Sequence, residues 1–91
     1  MRVYIRLVIE FEPDRPIWIQ VVEVLQGRIE RGEYLPRHLV PSEAQMVQEF
    51  GIARTTARKV VAYLRDQGFV YTVPQIGTFV HSSDKWSKER D

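Results

Sequence analysis

The sequence predicts a small α+β domain that is mainly helical, with three helices, a C-terminal β-hairpin and an N-terminal strand. Apolar residues recur every four positions over residues 17–29, which is typical of an amphipathic helix. Two further helical segments, within residues 42–67, meet at a single glycine. Two runs of β-branched and aromatic residues then flank a Pro/Gly turn. A chain of 91 residues has the length of one domain.

The start of the chain alternates between apolar and other side chains, which indicates a strand with one buried face. The alternating apolar residues are Val3, Ile5, Leu7, Ile9 and Phe11. We therefore expect an N-terminal strand in residues 1–12, ahead of a domain at residues 13–81. Two interpretations of this strand stay open. It adds to the hairpin as an extra strand, or its uncovered edge pairs with a second copy of the chain.

The first predicted helix is bounded by Pro16 and Gly32. Proline suits the first turn of a helix, and glycine is common just after the last turn. The apolar face of this helix comprises Ile17, Trp18, Val21, Val22, Leu25 and Ile29. We expect Trp18, at one edge of that face, to pack on the core. A connector at residues 34–41 follows.

The second and third predicted helices are separated by a tight turn at Gly51. Ser42, with Gln45 three residues later, has the pattern of a capping box that begins the second helix. Glycine can adopt the left-handed backbone conformation that a short turn between helices requires. The third helix is expected over residues 54–67. Helix, glycine turn and helix outline a helix-turn-helix at about residues 43–62.

The hairpin is expected at about residues 69–81, with Pro74 and Gly77 in its turn. Residues 82–91 are polar apart from Trp86, and we expect them to form a flexible tail. Three helices followed by a hairpin, in this order, are typical of a winged helix-turn-helix, in which the hairpin is the wing.

Positive charge is concentrated on the third predicted helix. The net charge of the whole chain is only +1, yet residues 53–67 contain four cations and one acid: Arg54, Arg58, Lys59 and Arg65 against Asp66. At about 100° per residue, the three arginines lie within roughly 40° of one another, whereas Lys59 points elsewhere. Arg65 lies about 16 Å further along the helix than Arg54, so we expect it to meet a phosphate or solvent.

An exposed helix edge of this kind fits the major groove of B-DNA, where arginine can pair with guanine. In a helix-turn-helix the first residues of the second helix reach the bases, and here those residues are Arg54, Thr55 and Arg58. Two other interpretations stay open. The arginines could form an ordinary solvated face, or a winged helix could bind an acidic protein partner through its basic edge.

Several classes of protein are not supported by the sequence. There is no cysteine, so disulfides and thiolate metal sites are excluded. His38 and His81 lack neighbouring carboxylates at metal-ligand spacing, and no nucleophile–base set or phosphate-binding glycine loop occurs. We expect no enzyme activity, no cofactor and no metal. The sequence shows no signal peptide and no apolar stretch near the roughly 20 residues of a membrane span, so we expect a cytoplasmic protein.

Three short motifs carry a resemblance to a known family. They are Pro41-Ser42-Glu43, Arg54-Thr55-Thr56-Ala57-Arg58 and Gly77-Thr78-Phe79-Val80. In this order and spacing, within residues 16–80, they resemble the N-terminal DNA-binding domain of GntR-family bacterial transcriptional regulators.

The resemblance implies a sequence-specific DNA-binding regulator, most often a repressor. Because DNA-binding domains of this type usually need two half-sites about 34 Å apart, we expect a homodimer on a palindromic operator. The resemblance also implies that Arg54 and Arg58 contact DNA, that Thr55 and Thr56 approach base edges or backbone, and that Gly77 enters the minor groove. The full expected DNA-binding set is Ser42, Arg54, Thr55, Thr56, Arg58, Gly77 and Thr78. Family members usually carry a further effector-binding domain, and we expect no small-molecule effector site in these 91 residues.

Four positions depart from the family pattern, of which Val40, in place of the usual leucine before Pro41, is a mild change. Arg37 stands where the family prefers glycine, so the connector could follow a different path. Ala53 replaces the usual serine or threonine ahead of the third helix, which removes a cap worth about 1 kcal/mol. Ala44 stands where some members have another DNA-contacting arginine. These departures predict a different operator preference rather than a loss of binding.

Overall fold

The computed structural model describes residues 10–86. It contains three α-helices, a two-stranded antiparallel sheet and a short 3-10 helix. The elements are α1 (Ile17–Glu30), α2 (Glu43–Phe50), α3 (Arg54–Asp66), β1 (Val70–Val73), β2 (Gly77–Val80) and the 3-10 helix Ser83–Lys85. This confirms the predicted fold class. The N-terminal strand predicted at 1–12 lies almost wholly outside the described residues, and residues 10–12 are not in a strand.

One hydrophobic core joins the helices to the wing. Buried side chains come from the predicted apolar faces of all three helices and from both strands at the base of the hairpin. They include Val21, Leu25, Ile29, Met46, Phe50, Ala57, Val60, Leu64, Phe69, Val70 and Val80. Trp18 packs on this core and makes an edge-on contact with Tyr63, with ring centroids 5.6 Å apart. Within residues 10–86, no helix is both long and apolar enough to cross a membrane.

The helix ends follow the predicted capping pattern. The Ser42 hydroxyl accepts a hydrogen bond from the Gln45 amide at 3.1 Å, and the Gln45 side chain accepts one from the Ser42 amide at 2.8 Å. Gly51 adopts φ +67° and ends α2, as the short turn requires. Gly32 and Gly68 have φ +83° and +81°, and each follows the last residues of a helix in a Schellman motif.

Helices α1 and α2 are joined by a partly buried ion pair. The guanidinium of Arg28 donates to both carboxylate oxygens of Glu49, and its Nη1 also donates to the Tyr34 hydroxyl at 2.9 Å. The hydrogen bonds that Arg28 donates to the Glu49 carboxylate raise the pKa of Arg28 above its ordinary value. This pair holds the last turn of α2 against the last turn of α1.

The connector pairs with β2 of the wing through backbone hydrogen bonds, which the sequence did not predict. The Arg37 amide donates to the Val80 carbonyl at 2.8 Å, and the Val80 amide donates to the His38 carbonyl at 3.0 Å. Leu39 forms an isolated antiparallel bridge with Phe79. These bonds use backbone groups, so side-chain periodicity does not reveal them. Arg37 has φ +69°, a conformation that glycine adopts more easily.

Residues 82–86 differ from the predicted flexible tail because they pack against the domain. The Trp86 ring stacks on Phe69, with centroids 5.3 Å apart, and its indole N–H donates to the His81 carbonyl at 3.2 Å. The carbonyl of Lys85 lies close to Gly68, where a Cβ would be only 2.0 Å from that oxygen. Aromatic burial beside the core supplies the stability that a polar segment lacks by itself. The rest of the predicted tail lies outside the described residues.

Candidate nucleic-acid interface

The exposed edge of α3 presents two arginines side by side. Arg54 and Arg58 are one helical turn apart, and their side chains are 62% and 64% exposed. The other side of α3 buries Ala57, Val60 and Leu64, which fixes the orientation of the helix. Both guanidinium groups therefore face solvent on one edge, as the sequence predicted.

Glu43 lies between the two arginines, at the start of α2. Its Oε1 atom is 3.7 Å from Nε of Arg54 and 3.9 Å from Nε of Arg58. These contacts are long and solvent-exposed, so each contributes little to stability and leaves the guanidinium groups available to a ligand. The sequence placed Glu43 in a family motif but did not predict that one carboxylate approaches both arginines, because that contact depends on the angle between α2 and α3.

A depression of about 370 Å³ separates the start of α3 from the wing. Four of the seven predicted DNA-binding residues line it: Ser42, Arg54, Gly77 and Thr78. The remaining three, Thr55, Thr56 and Arg58, lie on the first turns of α3 outside this lining. Thr55 is exposed and Thr56 is half-buried. The structure thus brings residues that are up to 36 positions apart onto one surface of the molecule.

Two of the predicted residues have structural partners as well. The Ser42 hydroxyl accepts the capping bond from Gln45, and it still has a proton to donate. The hydroxyl of Thr78 lies 3.1 Å from that of Thr72 on the neighbouring strand. Arg65 donates to the Thr72 hydroxyl at 3.1 Å, so the end of α3 is tied to the wing. This bond orients the exposed Arg65 guanidinium, and the expectation that Arg65 meets a phosphate or solvent stays a prediction.

Lys59 points away from the arginine edge, as the helical geometry predicted. Its Nζ atom lies 4.7 Å from the centroid of the Trp18 ring, within reach of a cation–π interaction with α1. Of the two adjacent cations in α3, Arg58 faces the depression side and Lys59 faces the first helix.

Gly77 begins β2 at the turn of the wing. Its φ is +150°, in a region that residues with a side chain rarely adopt. A Cβ at this position would also lie 2.6 Å from Cδ2 of Leu39 in the connector. A glycine is thus required here by the protein itself, whatever the wing contacts.

The combination of a helix-turn-helix, a hairpin packed beside it and an arginine edge on the second of those helices defines a winged helix-turn-helix. A sequence profile described as "Bacterial regulatory proteins, gntR family" matches residues 19–80. The chain belongs to the GntR family of bacterial regulatory proteins, as the three motifs predicted. Family membership also confirms the predicted class, a DNA-binding regulator domain rather than an enzyme.

Similar proteins include named repressors. The HTH-type transcriptional repressor NagR of Bacillus subtilis is 38% identical over 65 residues, which are 71% of this chain and 27% of NagR. The histidine utilization repressor of Pseudomonas putida is 32% identical over 69 residues, or 76% of this chain and 28% of that protein. The chain thus spans just over a quarter of the length of these curated relatives.

Solved structures with the same fold include DNA complexes. The AraR DNA-binding domain in complex with operator ORX1 is 36% identical, with a TM-score of 0.74, over 80% of this chain and 93% of that chain. The same domain in complex with operator ORE1 is 38% identical, with a TM-score of 0.71, over 79% and 88% of the two chains.

Proposed function

We propose that this chain acts as a sequence-specific DNA-binding transcriptional repressor in the bacterial cytoplasm, with α3 in the major groove and the wing in the adjacent minor groove. The observation that carries the proposal is the pair of exposed arginines, Arg54 and Arg58, on one edge of α3. NagR and the histidine utilization repressors, which are similar over this domain, are named repressors. The AraR domain of the same fold is bound to its operators.

The first turns of α3 supply the base-reading groups. Arg54 and Arg58 each carry a guanidinium that can bond two acceptors of guanine in the major groove. Thr55 is exposed beside them, so its hydroxyl or methyl group can contact a base edge. Thr56 is half-buried and is better placed for the DNA backbone than for a base. Glu43 lies near both arginines without holding them firmly, so DNA can replace it as their partner.

The depression between α3 and the wing supplies the backbone contacts. A sugar–phosphate strand fits between two protein ridges that enter neighbouring grooves, and phosphate contacts fix the register of the protein on DNA. Ser42 and Thr78 line the depression and carry hydroxyl groups that can donate to phosphate oxygens. Gly77 stands at the wing end, where its backbone can approach the minor groove closely.

We also propose that two copies bind one palindromic operator. Helix-turn-helix proteins usually occupy two half-sites about 34 Å apart, because one small domain makes too few contacts for useful affinity. Sedimentation of the protein with duplexes that contain one or two half-sites tests this. Two proteins per two-site duplex, with tighter binding than to one site, are expected. A single protein on both duplexes would contradict the proposal, and a variant that lacks residues 1–9 tests whether the N-terminal segment mediates the pairing.

The function itself is tested by selecting bound duplexes from a random pool and then comparing two neighbouring cations. Arg58→Ala should weaken binding to the selected duplex by about 1–3 kcal/mol and relax its sequence preference. Lys59→Ala is the matched control, since it removes the same charge from the next residue but from the side that faces Trp18. We expect it to change affinity by less than about threefold and to leave the preference unchanged. Equal effects of the two variants would contradict the orientation of α3.

A salt titration separates this function from binding to an acidic protein. For a DNA-binding protein, log K falls with log salt by about 0.9 for each phosphate neutralised. Sequence preference that persists as salt rises supports the regulator. A pool from which no sequence is enriched would refute sequence-specific binding and favour the protein-interaction module.

A further inference from the structure

An isoleucine stands exposed at the tip of the wing. The side chain of Ile76 is 66% exposed, the largest exposure among the large hydrophobic residues of the described chain. It is the fourth residue of a turn in which the Ile76 amide donates to the Val73 carbonyl at 3.0 Å. Pro74 and Gln75, with φ +69° at Gln75, complete the turn in the pattern of type II. Because Pro74 restricts the backbone of the turn, the position of Ile76 at the tip is well defined.

Ile76 belongs to the same surface as the base-reading residues. It lines the depression of about 370 Å³ together with Arg54 and Ser42. When α3 lies in the major groove, the adjacent sugar–phosphate strand of the DNA occupies this depression. The minor groove lies on the other side of that strand, because each sugar–phosphate backbone separates the major groove from the minor groove. The tip of the wing therefore faces the minor-groove edges of the base pairs next to those read by α3.

We propose that Ile76 makes the wing discriminate against base pairs that carry the guanine 2-amino group, and so favours A·T pairs at the wing position. In the minor groove an A·T pair shows only acceptors, whereas a G·C pair adds the N2 amino donor. An isoleucine side chain offers no acceptor to that donor. Covering the amino group with an aliphatic side chain removes its water and leaves the donor unpaired, which is unfavourable. This inference rests on the proposed function.

The test changes the minor groove while it leaves the major groove as it is. In the duplex obtained by selection, each G·C pair flanking the α3 site is replaced by inosine·C, which lacks the 2-amino group. Each flanking A·T pair is replaced by 2,6-diaminopurine·T, which gains one. At the wing position we expect inosine to tighten binding roughly five- to tenfold and diaminopurine to weaken it by a similar factor. The groups that α3 reads are unchanged by either replacement.

Protein variants test whether Ile76 is responsible for the discrimination against the 2-amino group. Ile76→Asn provides both an acceptor and a donor, and we expect it to reduce the discrimination to within about twofold. Ile76→Val stays aliphatic and should keep the discrimination. Leu35→Asn is the matched control, because Leu35 is also exposed, at 55%, but does not line the depression. It should leave the discrimination unchanged.

The inference is overturned if the protein binds its selected duplex but responds equally to G·C and inosine·C at every flanking position. It is also overturned if Ile76→Asn discriminates as strongly as the parent. Both results would leave sequence-specific binding intact. Failure to select any duplex would instead refute the proposed function, and this inference with it. Urea unfolding of each variant checks that the fold is retained, as expected for a substitution at an exposed tip.

Discussion

Gly77 and Leu39 are in such close contact that a Cβ on residue 77 would lie 2.6 Å from the Leu39 Cδ2 atom. The backbone of Gly77, at φ +150°, is also unfavourable for any residue with a side chain. Gly77→Ala should therefore lower the free energy of unfolding by about 1–2 kcal/mol, chiefly through backbone strain, because the exposed end of the Leu39 side chain can rotate away from the added Cβ. Urea unfolding measures this loss, and a variant as stable as the parent would contradict it.

A double variant separates the two causes. Leu39 is 53% exposed, so Leu39→Ala alone should cost less than about 1 kcal/mol. In the Leu39→Ala background, Gly77→Ala should cost nearly as much, since the backbone strain remains and the movable Leu39 side chain contributes little to the loss. DNA affinity of the double variant then reports whether the wing needs glycine for DNA as well as for folding.

Arg37→Gly should stabilise the domain. Arg37 adopts φ +69° while its amide donates to Val80 across the wing. Glycine reaches this conformation without strain, although it also makes the unfolded chain more flexible, so the net gain should be about 0.5 kcal/mol. Arg37→Ala removes the same charge but keeps the strain, and should not stabilise. If Arg37→Gly unfolds at lower urea than Arg37→Ala, left-handed strain is not the controlling effect. The departure from the family's glycine thus leaves the connector paired with the wing.

Two glycines with nearly the same backbone angle provide a matched pair. Gly32 has φ +83°, and a Cβ added there would have nothing within 4 Å, whereas a Cβ on Gly68, at φ +81°, would lie 2.0 Å from the Lys85 carbonyl oxygen. Both alanine variants should lose about 1 kcal/mol of stability, because alanine is strained in this left-handed backbone conformation. Gly68→Ala should lose at least about 1 kcal/mol more, because residues 82–86 must move.

The fluorescence of Trp86 can detect the displacement of residues 82–86 that we expect in Gly68→Ala. In a Trp18→Phe background Trp86 is the one remaining tryptophan of the chain. Gly68→Ala should shift its emission to longer wavelength, as the stacking on Phe69 is lost, whereas Gly32→Ala should not. Removal of residues 83–91 should make the two alanine variants equally destabilised. If Gly68→Ala is still more destabilised than Gly32→Ala after this truncation, contact with the 3-10 helix is not the cause of the difference in stability.

Glu43→Gln should weaken the discrimination between cognate and unrelated DNA. The carboxylate lies within 4.0 Å of Arg54 and Arg58, the two arginines that we propose contact DNA, and a carboxylate repels phosphate. Without it, affinity for unrelated DNA at low salt should rise about two- to threefold, while the arginines lose a shared orienting partner. Glu23→Gln makes the same charge change on α1, where Glu23 pairs with Arg15. Equal effects of the two variants would mean that only net charge matters.

Sequence alone determined the local structure of this protein. The capping box at Ser42, the glycine at 51 and the spacing of apolar residues in α3 each act over a few residues, so the helix-turn-helix and its arginine edge could be predicted. The same periodicity predicted that Arg58 and Lys59, although adjacent in sequence, point to different sides of α3. The motifs around these residues were sufficient to indicate the family.

Only the tertiary structure decided the contacts between distant segments. The pairing of the connector with β2, the approach of Glu43 to two arginines and the packing of Trp86 on Phe69 all join residues whose separation along the chain carries no periodic signal. Leu39 beside Gly77 is of the same kind. These contacts depend on the angles at which helices, connector and wing meet. Those angles are set by the packing of the whole core rather than by any one stretch of sequence.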